Sequence, residues 1–149
     1  MYKRILVPLD GSDFAERALA HAVDIARCGE SSLDLVRVVR MAPHSLEAAG
    51  AVPDMTDELD EAEEYLAGLS GRLTDQGLKV NTEIRRGDVA EELLEHATAC
   101  QCDLIVMSTH GRSGIARWVY GSVADRVLRY GLHAVPAILI VSSNPTTGS

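Results

Sequence analysis

Aromatic side chains are scarce in this chain: one Trp, one Phe and four Tyr make up 4% of 149 residues. Any core must therefore be aliphatic, built from Val, Leu, Ile and Ala. Cysteine is scarce too. Cys28, Cys100 and Cys102 are odd in number and lack Cys-x-x-Cys spacing. That excludes a disulfide framework and points to a reducing compartment, read here as the cytoplasm. A metal site of His96, Cys100 and Cys102 has no fourth ligand, and a helix end running into a strand explains the same residues more simply. Positive charge is in deficit, with 14 Lys and Arg against 22 Asp and Glu, a formal net charge of -8. Nucleic-acid binding needs a basic footprint, so that class is excluded, whereas a bound nucleotide needs only a few backbone N–H groups and one Arg. Long apolar runs are missing as well. "MYKRILVPLDGS" meets Pro8 and Asp10 at once and reads as neither signal peptide nor membrane span. Finally, neither standard nucleotide fingerprint occurs: no Gly-x-Gly-x-x-Gly follows the first apolar run, and no Gly-x4-Gly-Lys-[Ser/Thr] occurs anywhere.

What is present is an alternation of two periodicities. Hydrophobic residues at 46% and charged residues at 24% fit one globular domain. Ile5–Leu9 is an apolar run, and Phe14, Ala18, Leu19, Ala22, Ile25 and Ala26 then recur at helical spacing as far as Gly29. Leu33–Val39 predicts a second strand, and Met41–Asp54, with Pro43, Gly50 and Pro53, a loop. Leu59, Ala62, Leu66, Leu69 and Leu73 predict a long helix that stops near Gly77. Leu78, Val80, Thr82 and Ile84 alternate with polar residues as a half-exposed strand does. Val89, Leu93, Leu94 and Ala97 predict a third helix, Leu104–Met107 a buried strand, Val123, Val127 and Leu128 a fourth helix stopped at Gly131, and Ala137–Val141 a last strand. The order βαβαβαβαβ predicts an α/β fold: one doubly wound, Rossmann-like parallel sheet with helices on both faces. Residues 1–142 form the domain, and the polar tail 143–149 is expected to be disordered.

In such sheets ligands sit beyond the carboxyl ends of the strands, where strand order reverses. The first and fourth strands are the most continuously apolar and are placed at the centre. Their ends, "PLDGS" and "MSTHG", then fall side by side. The second opens the stretch "MSTHGRSGIARWVYGSVAD", in which Ser108, Gly111, Gly121 and Ser122 are spaced by two, nine and no residues. Glycines there allow backbone to approach an anion closely. Ser122 begins the fourth helix, and "SVAD" reads as a capping box with Asp125, whose orphan N–H groups face any anion beyond the helix end. Asp10 reads either as an acceptor for ligand hydroxyls or as a turn residue leading to Asp13, an N-cap with Glu16 three residues on. Arg112 is the candidate cation for phosphates; Arg117 lies nearby, and His110 lacks any partner to act as a catalytic base.

These residues resemble the universal stress protein family, whose ATP-binding members carry Gly-x2-Gly-x9-Gly-[Ser/Thr] at this place. The likeness runs from "RILVPLDGS" through "THGRSG" and "YGSVADRVLR" to "VPAILIV". The departure is Ser108, where the family has its first Gly; a Cβ there narrows the backbone's approach to a nucleotide. The resemblance implies five strands in the order 3-2-1-4-5. It implies ATP as ligand, with Mg reached through the phosphates and no protein ligand of its own. It implies a binding set of Pro8, Leu9, Asp10, Val38, Met107, Ser108, Gly111, Arg112, Gly121, Ser122 and Val123. Pro8, Val38 and Met107 fall along the base and Asp10 on the ribose. It also implies a homodimer through the C-terminal strand, Val135–Val141, an uncharged apolar edge that would otherwise be left open.

The expected function is a nucleotide-responsive regulatory or stress-survival protein. The alternatives are a slow ATPase or nucleotidyl-transfer enzyme on the same fold, or a stress protein that acts through protein contacts without nucleotide. Phosphoryl transfer needs a positioned nucleophile and a charge clamp; the sequence offers donors for binding but no convincing base, and leans away from an enzyme.

Overall fold

Ile5, Leu6, Val7, Ile105 and Val106 are inaccessible to solvent, so the first and fourth strands are buried on both faces. That is the environment of central parallel strands. A computed structural model describes residues 1–40, 50, 56–109 and 122–142. The expectations for most of the Met41–Asp54 loop, for His110, Gly111, Arg112, Arg117 and Gly121, and for the tail 143–149 lie outside the described residues.

The strands are β1 (Arg4–Pro8), β2 (Ser32–Val39), β3 (Lys79–Arg86), β4 (Leu104–Ser108) and β5 (Ala137–Val141), and the helices are α1 (Asp13–Gly29), α2 (Thr56–Asp75), α3 (Val89–Ala99) and α4 (Ser122–Gly131). All four strand pairings are parallel, and the order is β3-β2-β1-β4-β5. The expected fold class and strand order are therefore observed. Leu6 lies opposite Asp34 on β2 and Ile105 on β4, and Ser108 ends level with Val141. Strand alternation divides the core in two. Ile5, Val7, Leu33, Leu35 and Val106 pack with α1 and α2 through residues such as Ala18, Ala22, Leu66 and Leu69. Leu6, Val36, Ile105 and Met107 pack with α3 and α4 through Ala90, Leu93, Ala97, Ala124 and Val127. No helix among the described residues is long and apolar enough to cross a membrane.

One sequence expectation is corrected at the chain's turns. Ser12, not Asp13, caps α1: it is extended (φ -82°, ψ 156°) and its hydroxyl accepts the Ala15 N–H, while Asp13 is already helical. Asp13 and Glu16 then share the first turn, where negative charge meets the positive end of the helix. Gly131 ends α4, as the sequence predicts. A Cβ there would stand 2.9 Å from Ile138 Cδ1 and 3.2 Å from Leu94 Cδ2, so its lack of a side chain lets β5 close against α4. Ile138 and Ile140 are consequently held on the α3–α4 side, and Leu139, 37% exposed, is the large apolar side chain that β5 shows to solvent.

At the amino end of the sheet one charge is buried. Asp34 of β2 is 1% exposed. It accepts hydrogen bonds from Arg4 Nε of β1 at 2.9 Å, Asn81 Nδ2 of β3 at 3.1 Å and His96 Nε2 of α3 at 2.9 Å, and Arg4 Nη2 adds an ion pair at 2.8 Å. Burial favours the protonated acid, but the hydrogen bonds from Arg4, His96 and Asn81 outweigh it and hold the carboxyl below the ordinary 3.8. A carboxyl whose pKa is lowered by folding adds stability above its unfolded value and loses it as pH falls through the folded one. Asp34→Ala is therefore expected to cost about 3 kcal/mol at neutral pH, the low end for a broken buried pair, because Arg4 keeps 34% of its side chain in water. Urea titrations at pH 7 and pH 3 should show the gap between variant and wild type narrowing in acid. A variant within about 1 kcal/mol of wild type at pH 7 would show that the network carries little stability.

Candidate functional site

The carboxyl ends of β1, β2 and β4 open into one cavity of about 410 Å³, within the ~300–1,000 Å³ typical of small-molecule sites. It lies where strand order reverses, between β1 and β4. Pro8, Val36, Val38 and Met107 supply an apolar wall from the strand ends, and Val89 and Leu93 of α3 extend it. The polar lining is Asp10, Arg37, Arg40, Glu58, Ser108, Thr109 and Ser122. Leu9 and Val123 complete the expected set, so the structure brings together Pro8, Leu9, Asp10, Val38, Met107, Ser108, Ser122 and Val123 around one space. Gly111, Arg112 and Gly121 belong to that set by sequence alone.

Local geometry explains how Asp10 is aimed. Gly11 turns the chain with φ 87°, a conformation that side chains resist, and the Asp10 Oδ1 accepts the Ser12 N–H at 2.9 Å. The turn reading of Asp10 is thus realised, and the same carboxylate also lines the cavity. Of the helices that start at this end, α1 and α4 present their first turns to the same space through Ala15 and Ser122–Ala124. They differ in charge. The α1 start carries Asp13 and Glu16. The α4 start carries only Asp125, whose carboxylate is drawn one turn on to Arg129 Nε at 3.1 Å. An anion is therefore better received at α4. Asp125 thus turns away from the capping-box role expected of it.

The sequence of the site is that of a known family. A family model, the Universal stress protein family, matches residues 1–132. This chain belongs to that family. Universal stress protein MJ0531 of Methanocaldococcus jannaschii is 36% identical over 131 residues, spanning 87% of this chain and 77% of the relative. The solved hypothetical protein MJ0577, studied for structure-based assignment of biochemical function, superposes with a TM-score of 0.82 at 26% identity, covering 98% of this chain and 99% of its own. A universal stress protein of Archaeoglobus fulgidus, solved in complex with dAMP, shares the fold with a TM-score of 0.67 at 22% identity, covering 93% and 97%.

Several lining residues escaped the sequence reading: Ala15, Val36, Arg37, Arg40, Glu58 and Thr109. Arg37 had a legible signal, a charge interrupting the apolar run "LVRVV", and it is 4% exposed. Behind it stands Tyr65 of α2. Burial first, then the charges of Glu16 and Asp10, push its phenol up to about 12, with Arg37 and Arg72 working the other way. Among the described residues its hydroxyl is buried without a hydrogen-bond partner. Tyr65→Phe is therefore expected to leave stability unchanged or raise it by up to about 1 kcal/mol, because a desolvated hydroxyl is removed and no bond is lost. Thermal unfolding checks this, and a clear fall in Tm would mean that the hydroxyl has a partner.

Proposed function

We propose that the chain is an ATP-binding universal stress protein, a nucleotide-responsive regulator that holds its ligand in the cavity between β1 and β4. The observation that carries this reading is a cavity, at the reversal of strand order, lined both by apolar strand-end residues and by hydroxyls at the end of β4 and the start of α4. An adenine ring fits between Pro8, Val36, Val38 and Met107. Asp10, which lines the cavity at the end of β1, accepts ribose hydroxyls. Phosphates lie toward Ser108, Ser122 and the N–H groups of α4, with Gly111, Arg112 and Gly121 joining them on the strength of the motif. Mg would ride on the phosphates, as the resemblance implies, with no protein ligand of its own. The dAMP complex of the Archaeoglobus fulgidus relative supports an adenine nucleotide as the ligand class.

Titration calorimetry with ATP, with and without Mg, tests the assignment. Asp10→Ala should weaken ATP at least tenfold, about 1.4 kcal/mol, with an unchanged far-UV spectrum. Equal affinity in variant and wild type would remove Asp10 from the ribose.

The same reading includes a homodimer through β5. Two copies paired along this edge about a two-fold axis would cover Leu139 and satisfy the edge's backbone groups. Because Ile138 and Ile140 pack inward, Leu139→Lys is the variant that tests the edge without opening the core. Sedimentation should give a dimer for wild type at micromolar concentration and a monomer for Leu139→Lys. A monomeric wild type, or a dimeric variant, would count against the interface.

A further inference from the structure

The Asp34 network contains a second feature that its structural role does not require. His96 is 5% exposed and lies between two groups. Its Nε2 is 2.9 Å from Asp34 Oδ2, and its Nδ1 is 3.9 Å from Cys100 Sγ, one helical turn on. The carboxylate settles the tautomer. An ionised Asp34 can only accept, so Nε2 carries a hydrogen, and the neutral ring then leaves Nδ1 as a lone pair facing the Cys100 thiol. A nucleophile, a base and a group orienting the base are in contact in that order, the arrangement by which proteins activate weak nucleophiles.

A cation would find the same three residues, whose ligand atoms lie within 4.8 Å of one another. The surroundings decide against it. Asp34 Oδ2 already receives Arg4 Nη2 at 2.8 Å and His96 at 2.9 Å, and Oδ1 receives Arg4 Nε at 2.9 Å and Asn81 at 3.1 Å. Each oxygen already has two close donors, and a guanidinium already supplies the positive charge. The other groups facing the cluster are engaged. Asp103 accepts the Lys3 and Arg4 N–H groups at 2.8 and 3.0 Å. Cys102 is 3% exposed, and its thiol is held in the S–H form by burial and by the charge of Asp34, to which it donates at 3.9 Å. Cys100 is only partly buried and is the thiol of this pair within reach of solvent.

We propose that Cys100 is a base-assisted thiol and a site of covalent modification by small hydroperoxides, at the opposite end of the sheet from the nucleotide cavity. His96 accepts the thiol proton as Sγ attacks the nearer peroxide oxygen. The S–O bond forms as the O–O bond breaks. Sulfur is oxidised by two electrons to the sulfenic acid, the peroxide is reduced, and the proton on His96 passes to the departing hydroxide or alkoxide, so thiol plus hydrogen peroxide gives sulfenic acid plus water. His96 touches the reacting sulfur; Asp34 acts through it as a positioning residue.

Exposed Cys28 of the same chain is the internal reference. The reduced full-length protein is treated with hydrogen peroxide, sulfenic acid is trapped with dimedone, and each site is quantified by peptide mass spectrometry. At pH 6.5 Cys100 should be modified at least tenfold faster than Cys28, although it is less exposed; a smaller ratio overturns the proposal. The ratio should shrink between pH 6.5 and 9, because thiols without a base ionise around pH 8.5 and need assistance less. A ratio that does not change with pH also overturns it. His96→Gln keeps a donor toward Asp34 but removes the base. With a native far-UV spectrum it should bring Cys100 to the rate of Cys28 or below, and an unchanged rate removes His96 from the reaction. Should that variant fail to fold, the wild-type ratio and its pH dependence decide the question by themselves.

Discussion

A parallel strand buried on both faces leaves polar groups a place only at its ends. That constraint organises this molecule. Its central strands, β1 and β4, carry apolar side chains to the α1–α2 layer and to the α3–α4 layer alike. Side chains that bind or react therefore collect beyond one end or the other. The carboxyl end receives the cavity, because there the chain leaves β1 and β4 in opposite directions and the helices begin. The amino end receives the Asp34 network.

The two ends solve the electrostatic problem differently. At the cavity, groups of both signs line the same space: Asp10 and Glu58 with Arg37 and Arg40. Backbone N–H groups of α4 supply the positive potential that a net charge of -8 does not. At the amino end a carboxylate is buried outright, which is costly unless both oxygens have donors. Here the donors come from residues of β1, β3 and α3, so the carboxylate couples three strands and one helix. A hydrophobic residue at position 34 would pack without that coupling but would leave the His96 imidazole without its orienting partner.

Much of this was legible in the chain. The strand and helix periods predicted the nine elements of the described residues, with ends shifted by up to three residues, because each strand and helix has one pattern set by its own burial. Asp10 and Ser108 were legible as cavity-lining residues because they end the two most apolar runs. Arg37 was missed as cavity lining because a single charge within a strand can face either layer. Ser12 displaced Asp13 as the cap of α1 because two adjacent capping residues differ only in backbone angle, which the sequence does not display.

What the sequence alone determined was the alternation of strand and helix, an aliphatic core and, through the spacing of Ser108, Gly111, Gly121 and Ser122, the family to which the chain belongs. These are local properties, and local spacing records them. The tertiary structure decided which distant residues meet. His96, Cys100 and Cys102 looked like an incomplete metal set in the sequence. Folding brought in Asp34, 62 residues before His96, placed Arg4 against it, and so separated Cys100 beside the imidazole from Cys102 beside the carboxylate. Parallel pairing does this: neighbours in the sheet are joined by whole helices, so a contact across it has no short spacing from which to be read.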